Sequence, residues 1–245
     1  MTKEQKEFIE QHIDLIEDHE WHKLFKKAEK FDVPLTIGDI LYMSGVNFLN
    51  ELTEIPFPAF FESKILTEII IPENINSLSD YSFQGCSKLK HIDLPETLVE
   101  IGRCAFRHCT QLSEINIPDN VTTIEHSAFY NCTSLKDIKI PDSVTKIGTN
   151  AFQNCKNLKT AALPKFLSTI DDFVFSYSGL TSLTIPQSID SIHKGAFLGC
   201  SNLTDMMFEG TKEEWSRINI SPDAFTEDVL AQTIKCIDGV TKLRP

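Results

Sequence analysis

The stretch LSEINIPDNVTTIEHSAFYNC (112–132) decides the fold, because close variants of it recur through most of the chain. The phenylalanine near its end returns after 23 residues five times in succession, and then once after 22. These residues are Phe60, Phe83, Phe106, Phe129, Phe152, Phe175 and Phe197. A fixed period of roughly 20 to 50 residues is typical of a solenoid, in which each copy forms one turn of a continuous stack.

The first half of each copy has the pattern of a half-buried strand. Ile115 and Ile117 alternate with the polar Glu114 and Asn116, so the two pairs point to opposite sides of an extended chain. Pro118 then ends the strand, because proline has no N–H to give to a neighbour. Strands one period apart run in the same direction, so we expect a parallel stack with a spacing of about 4.8 Å.

The second half of each copy predicts another short strand and then a tight helical turn at the Ala-Phe-x-x-Cys segment. Five of the seven cysteines occupy one repeat position, namely Cys86, Cys109, Cys132, Cys155 and Cys200. An odd number of cysteines at core positions predicts buried thiols and not a disulfide framework. Cys104 lies outside this column, and we expect it to face solvent.

The extent of the repeat divides the chain into three parts. Residues 1–50 have apolar residues spaced three and four apart, which predicts a helical N-terminal cap. Residues 51–208 form the solenoid, and residues 209–245 form a C-terminal cap with a short helix and a final strand. In that cap, Thr211 is a predicted N-cap of a helix that places Trp215 over the last coil.

The phrase Ile-Pro-x-x-Val-x-x-Ile-x-x-x-Ala-Phe-x-x-Cys-x-x-Leu resembles the BspA-type leucine-rich repeat over about Glu51 to Phe208. The ending Gly-Thr-x-x-Glu-Trp with Cys-x-Asp-Gly also resembles a common terminus of such proteins. The resemblance implies a β-rich leucine-rich repeat solenoid of parallel stacked short strands, here with the helical N-terminal cap, and binding on one face. It also implies one of two settings, surface adhesins or leaderless proteins of bacteria and their phages.

The outward positions of the repeated strands form the predicted partner-binding face. Their side chains point away from the core because successive residues of a strand alternate in direction. The face consists of Glu68, Ile70, His91, Asp93, Glu114, Asn116, Asp137, Lys139, Asp205 and Met207. Its early half is acidic, so we expect a protein partner with a basic surface.

The charge of the chain excludes several classes of partner. With 35 acidic and 23 basic residues the net charge is −12, which repels nucleic acid and anionic membrane surfaces. No stretch approaches the roughly 20 apolar residues of a membrane span. The N-terminus lacks the apolar core of a signal peptide, so we expect a cytoplasmic protein, in the host cytoplasm if a phage encodes it.

The sequence contains no pattern that indicates catalysis. Three histidines, His12, His19 and His22, fall in the predicted N-terminal helix, but they do not form the His-Glu-x-x-His pattern of zinc proteases. A phosphate-binding glycine loop and a nucleophile motif are also missing from the sequence. We therefore expect no catalytic residues, no metal site, no cofactor and no enzymatic activity.

These observations predict a non-catalytic, intracellular protein–protein interaction module. It would bind a protein through the solenoid face or through the N-terminal helices. Two alternatives remain open. The chain could be a phage-encoded acidic inhibitor of a host nucleic-acid-binding defence enzyme, because its charge is strongly negative. It could also be a fragment of a cell-surface adhesin, because the resemblance includes such proteins.

Overall fold

The chain forms a β-solenoid in which short strands of successive repeats stack in parallel. The structure, a computed structural model, describes residues 7–8, 11, 23, 27–28, 53–55, 60–63 and 66–243. The predicted helical cap over residues 1–50 therefore lies, apart from a few isolated positions, outside the described residues. Within them, the repeats of the sequence correspond to successive coils of the solenoid.

One side of the solenoid, the short-strand side, is built from two-residue strands. Numbered in chain order, these are β1 (Glu54–Ile55), β3 (Ser77–Leu78), β5 (Glu100–Ile101), β6 (Thr123–Ile124), β8 (Lys146–Ile147), β10 (Thr169–Ile170), β12 (Ser191–Ile192) and β14 (Asn219–Ile220). The first five form one parallel sheet and the last three form another. Paired residues occupy the same position in successive repeats, as in the pairing of Ile101 with Ile124.

A second side, the strand face, carries the longer strands. These are β2 (Glu68–Ile70), β4 (His91–Asp93), β7 (Asp137–Lys139), β9 (Thr160–Ala162), β11 (Ser182–Ile185), β13 (Asp205–Phe208), β15 (Thr233–Cys236) and β16 (Gly239–Lys242). The first two pair with each other, and the other six form one sheet. All pairs are parallel except the last, in which β16 runs antiparallel to β15.

The strand predicted at residues 112–117 does not form, so the strand face is interrupted between β4 and β7. The alternation of burial survives there, with Ile115 and Ile117 buried and Glu114 and Asn116 exposed. A single backbone hydrogen bond, at 3.3 Å, joins this segment to the following coil, from the Lys136 N–H to a carbonyl of the segment. Each side chain of this segment thus still points inward or outward as predicted, even though the strand pairing is lost.

The repeated phenylalanines form a continuous stack along the axis, which confirms the predicted interior. Neighbouring ring centroids lie 4.9 to 5.9 Å apart, and interplanar angles lie between 5° and 14°. The stack runs from Phe60 to Phe225, although Phe225 follows Phe197 by 28 residues. The extra residues between Phe197 and Phe225 therefore do not displace the phenylalanine column, which regains its register after them.

The Ala-Phe-x-x-Cys segments are not helical turns, in contrast to the prediction. From Phe83 to Phe197, the residues two before and two after each phenylalanine of the column adopt left-handed backbone angles, for example Cys104 with φ 56° and His108 with φ 64°. In this conformation the N–H groups of Cys104, Phe106 and His108 all donate to carbonyls of the next coil at 2.8 to 2.9 Å. These turns therefore form a third hydrogen-bonded ladder, and Gly199 occupies one of its left-handed positions, with φ 70°.

The column of cysteines is buried and its thiols are free, as predicted. Each thiol donates to the carbonyl of the phenylalanine in the preceding coil, as from Cys155 Sγ to the Phe129 oxygen at 3.2 Å. Burial raises the pKa of Cys155 to about 12 and that of Cys200 to about 11. Cys104 is only 3% exposed, so its predicted solvent exposure is wrong. Its side chain is small, and the larger Tyr81 and Asn150 at the same repeat position are only half-buried.

The C-terminal part contains the predicted short helix, α1 (Lys212–Arg217). Thr211 caps it by a reciprocal pair of hydrogen bonds, accepting from the Glu214 N–H at 3.2 Å and donating its own N–H to the Glu214 carboxylate at 2.7 Å. Trp215 is 5% exposed and packs on Phe208, with ring centroids 5.4 Å apart. The sequence predicted β15 as the final strand, and it did not predict β16.

Candidate functional site

All ten residues of the predicted partner-binding face are exposed in the structure. They are Glu68, Ile70, His91, Asp93, Glu114, Asn116, Asp137, Lys139, Asp205 and Met207. Strands β2, β4 and β7 bury their middle residue and expose the residues on either side. The four residues of β13 continue the same alternation, and Glu114 and Asn116 keep it without a strand. The alternation predicted from the sequence is confirmed, and the role of these residues in binding stays a prediction.

The strand register arranges these side chains in two parallel columns. Glu68 lies opposite His91 in one column, and Ile70 lies opposite Asp93 in the other. Further along the face, Asp137 lies opposite Thr160. Because paired parallel strands are about 4.8 Å apart, each column presents one side chain at that interval wherever the strands pair. A partner would therefore meet a regular two-column array on a backbone that the Phe stack holds in place.

The N-terminal half of the face is acidic. Glu68, Asp93, Glu114 and Asp137 contribute carboxylates over four successive coils. His91 lies among them, with its Nε2 3.0 Å from Asp93 Oδ1 and its Nδ1 4.0 Å from Glu114 Oε1. Even with this imidazole charged, carboxylates would be in excess, so the potential over this half favours a cation.

A shallow depression adjoins the acidic half. Its rim and floor come from β7, β9 and β11, where the outward side chains are mostly small. They are Asp137, Lys139, Thr160, Ala162, Ser182 and Thr184. Thr160 Oγ1 donates to Asp137 Oδ1 at 2.7 Å, which orients that carboxylate at the edge of the depression. The depression thus lies where both columns carry small side chains, and it can accept a side chain of a partner there.

Exposed apolar side chains mark both ends of the face. Ile70 is 69% exposed at one end, and Met207 is 45% exposed near the other. Met207 lies opposite Lys235, which in turn lies opposite Val240 of β16. The sequence could not place Val240 on this face because its short strand carries no repeat pattern. The Lys235 ammonium pairs with Asp205 at 2.7 Å, so the C-terminal end is nearly neutral.

One group of side chains on another part of the solenoid has the composition of a metal site. Asp171, Asp172 and His193 bring their ligand atoms within 4.8 Å of one another. Asp171 Oδ1 already accepts from His193 Nδ1 at 3.2 Å and from the Asp172 N–H at 2.8 Å. Asp172 Oδ1 accepts from the backbone N–H of Lys194 at 3.0 Å. Hydrogen bonds between coils account for this arrangement, and the histidines His12, His19 and His22 lie outside the described residues.

The buried thiols have the wrong properties for nucleophilic or metal-binding chemistry. Burial raises the pKa of Cys132, Cys155 and Cys200 well above that of a free thiol. Only the thiolate attacks or binds a metal, so these groups are inert at neutral pH. Over the part of the chain that the structure covers, no helix combines the length and the apolar character needed to cross a bilayer.

The sequence matches the family described as the BspA type leucine rich repeat region, in 6 copies over residues 39–159 and 122–245. Among solved structures, a leucine-rich repeat protein of T. pallidum is 29% identical, with a TM-score of 0.52 over 63% of this chain and 62% of that one. A leucine-rich cell surface protein of Faecalibacterium prausnitzii A2-165 is 31% identical, with a TM-score of 0.61 over 64% of this chain and 43% of that one. The chain thus spans less than two thirds of either protein. No curated protein matches the sequence significantly.

Proposed function

Because the chain belongs to the BspA-type leucine-rich repeat family, we propose that it is a non-catalytic protein-interaction module whose partner binds along the strand face. The observation that carries the proposal is the exposure of two regular columns of side chains on a rigid stack of strands. Solenoids present extended surfaces of this kind to protein or peptide partners. The interior of the described coils is filled by the Phe stack, so binding takes place on the outside.

The partner proposed for this face has a basic surface. Four carboxylates lie within four coils of the N-terminal half, and Asp93 shares His91 with Glu114. Charges arranged in this way steer association and fix the orientation of a partner more than they add affinity. Ile70 and Met207, at the two ends, supply exposed apolar area that contact with a partner would remove from water.

Charge reversal on the face tests this proposal. The double variant Glu114→Lys and Asp137→Lys reverses two of the four negative charges in the acidic half, while Asp119→Lys makes one such change in the exposed turn that follows residue 118. With the wild-type protein as bait, affinity purification from the source organism should yield a stoichiometric partner that the double variant loses and the Asp119→Lys variant keeps. We also expect the interaction to weaken with added salt.

Two results would contradict binding through this face. One is a partner retained in full by the double variant, which would place the contact elsewhere, for example on the N-terminal residues. The other is an equal loss with Asp119→Lys, which would indicate an effect of total charge alone. A preparation that binds no protein but converts a substrate would contradict the proposal as a whole.

A cell-surface module is the second candidate, favoured by the likeness to the leucine-rich cell surface protein of F. prausnitzii. Cytoplasmic and surface locations are distinguished by limited proteolysis of intact source cells. Loss of the protein before lysis would support the surface, and protection until lysis would support the cytoplasm. The alternative of a phage inhibitor depends on the net charge of −12 alone.

A further inference from the structure

A compact group of cationic and aromatic side chains lies on the turns of two successive coils, away from the strand face. We call it the basic cluster, and it consists of Arg103, Arg107, His108, His126 and Tyr130. Arg107 and Tyr130 are one repeat apart, as are Arg103 and His126. The stacking of coils therefore brings the members of each pair together on the surface.

The side chain of Arg107 is held in place by two contacts. Its Cζ lies 4.7 Å from the centroid of the Tyr130 ring, in a cation–π arrangement. Its Nε donates to His108 Nε2 at 3.3 Å, and the His108 ring packs edge-on against Tyr130 at 5.4 Å. These contacts use Nε and the face of the guanidinium, and they leave its terminal NH₂ groups available. The group is thus oriented before any partner arrives.

Neither arginine of the cluster has a carboxylate partner within 4.0 Å among the described residues. Neighbouring carboxylates have other partners. Asp80 Oδ1 accepts from the backbone N–H of Arg103 at 2.8 Å, and Glu125 Oε1 pairs with the Lys146 ammonium at 2.5 Å. In contrast, Arg217 on α1 is paired with a glutamate one turn away. Among the described residues, both guanidinium groups thus lack a direct ion pair, although the chain has an excess of 12 acidic residues.

We propose that the basic cluster binds a carboxylate-bearing segment of a protein partner, with Arg103 and Arg107 as the anchoring residues. Guanidinium groups bind carboxylates through two parallel hydrogen bonds, and arginine and tyrosine are enriched among residues that dominate binding energy. The cluster covers only two coils and is surrounded by an acidic protein. A short acidic segment fits within it, whereas a nucleic acid would extend its phosphates over repulsive surroundings.

The environment of His126 supports a local excess of positive potential. Burial lowers the pKa of His126, and the charges of Arg103 and Arg107 lower it further, while the nearby Glu125 carboxylate opposes them with a smaller effect. A bound carboxylate would offset the two arginine charges, so the pKa of His126 should rise on binding. This effect gives a readout that does not depend on the affinity itself.

The experiment is a titration of the ¹⁵N-labelled full chain with N-acetylated tetraglutamate amide, followed by NMR. At 0.15 M salt the Debye length is about 8 Å, so distant acidic groups are screened while direct pairing persists. We expect shift changes concentrated at residues 103–108 and 126–130. The double variant R103Q/R107Q should weaken binding by about tenfold or more, since each charged hydrogen bond contributes roughly that factor.

Two further variants test whether the position of the arginine and its fork of donors matter, and not charge alone. R217Q removes an arginine that is already paired and should leave binding unchanged. R107K keeps the charge but not the fork of donors, and should bind more weakly than the wild type but better than the double variant. All variants should keep the wild-type pattern of shifts elsewhere, because none of the substituted arginines lies in the buried core.

Several outcomes would overturn the proposal. Absence of shift changes at the cluster, or equal weakening in R217Q, would show that the arginines do not anchor carboxylates. Tighter binding of inorganic phosphate or of an oligothymidylate at the same amides would assign a phosphate ligand instead. Shift changes at the cluster on concentrating the protein without peptide would assign the surface to a second copy of the chain. None of these outcomes bears on whether the strand face binds a partner.

Discussion

Replacing Phe129 by alanine tests the central column of the BspA-type solenoid most directly. Phe129 is fully buried, and its ring stacks on Phe106 and on Phe152 with centroid distances of 5.3 Å on both sides. Removing it deletes a large apolar side chain and the contacts on both faces of its ring. Substitutions of this type cost about 3 to 5 kcal/mol of unfolding free energy, with the larger values where the site cannot collapse.

The backbone around Phe129 argues for the upper part of that range. Its N–H donates to the Ala151 carbonyl at 2.8 Å, and the Phe106 N–H donates to the Ala128 carbonyl at 2.8 Å. These bonds fix the separation of the coils, so the rings above and below cannot move together to fill the space. A cavity should therefore remain in the middle of the stack.

Equilibrium unfolding in urea, followed by circular dichroism, measures the effect. The matched control is Glu114→Ala, which removes an exposed side chain outside the core and should change stability by less than about 0.5 kcal/mol. Phe129→Leu should fall between the two, because it keeps part of the buried apolar volume. Similar losses for Phe129→Ala and Glu114→Ala would refute the assignment of inside and outside.

Three other substitutions have expected effects that follow from single contacts. Ser82→Ala should stabilise the protein by about 1 kcal/mol in the same assay, because the Ser82 hydroxyl is buried without a hydrogen-bond partner; a loss of stability would contradict this reading. Gly179→Ala should destabilise by about 1 to 3 kcal/mol, because an added Cβ would lie 2.0 Å from the Lys156 carbonyl oxygen; an unchanged urea midpoint would show that the coil can shift. For Cys155 the folded-state pKa of about 12 lies above the ordinary value of 9.0, so the unfolded state loses its proton first and stability should fall as pH rises from about 9 to 12. Cys155→Ser should reduce that slope by up to about 1.4 kcal/mol per pH unit in urea titrations at several pH values, and an unaltered slope would exclude this thiol as its source.

The interior of the solenoid could be predicted from the sequence because its positions repeat in identity. Phenylalanine and cysteine return at one spacing, and stacking places each on its equivalent in the next coil. Cys104 was predicted wrongly for the opposite reason. Its repeat position is occupied elsewhere by Tyr81, Ser127 and Asn150, so no apolar pattern indicates burial at this position.

The surfaces were predictable to different extents. The ten residues of the strand face follow from alternation within each strand, which holds even at Glu114 and Asn116 where no strand forms. The basic cluster was missed because its members are distributed over two repeats. A signal was nevertheless present, since Arg107 and Tyr130 are separated by one period and therefore must be neighbours in a stack. Val240 carried no such signal, because β16 follows the last repeat.

The two interruptions in the sheets occur at different heights along the axis. The strand face is broken between β4 and β7, where the short-strand side runs unbroken through β5, β6 and β8. The short-strand side is broken between β8 and β10, where β7, β9 and β11 are joined on the other side. If neighbouring coils separated at either interruption, the intact sheet on the opposite side would still hold them together at that position. Under a pulling force we expect the described coils to yield as one cooperative body and not as two halves.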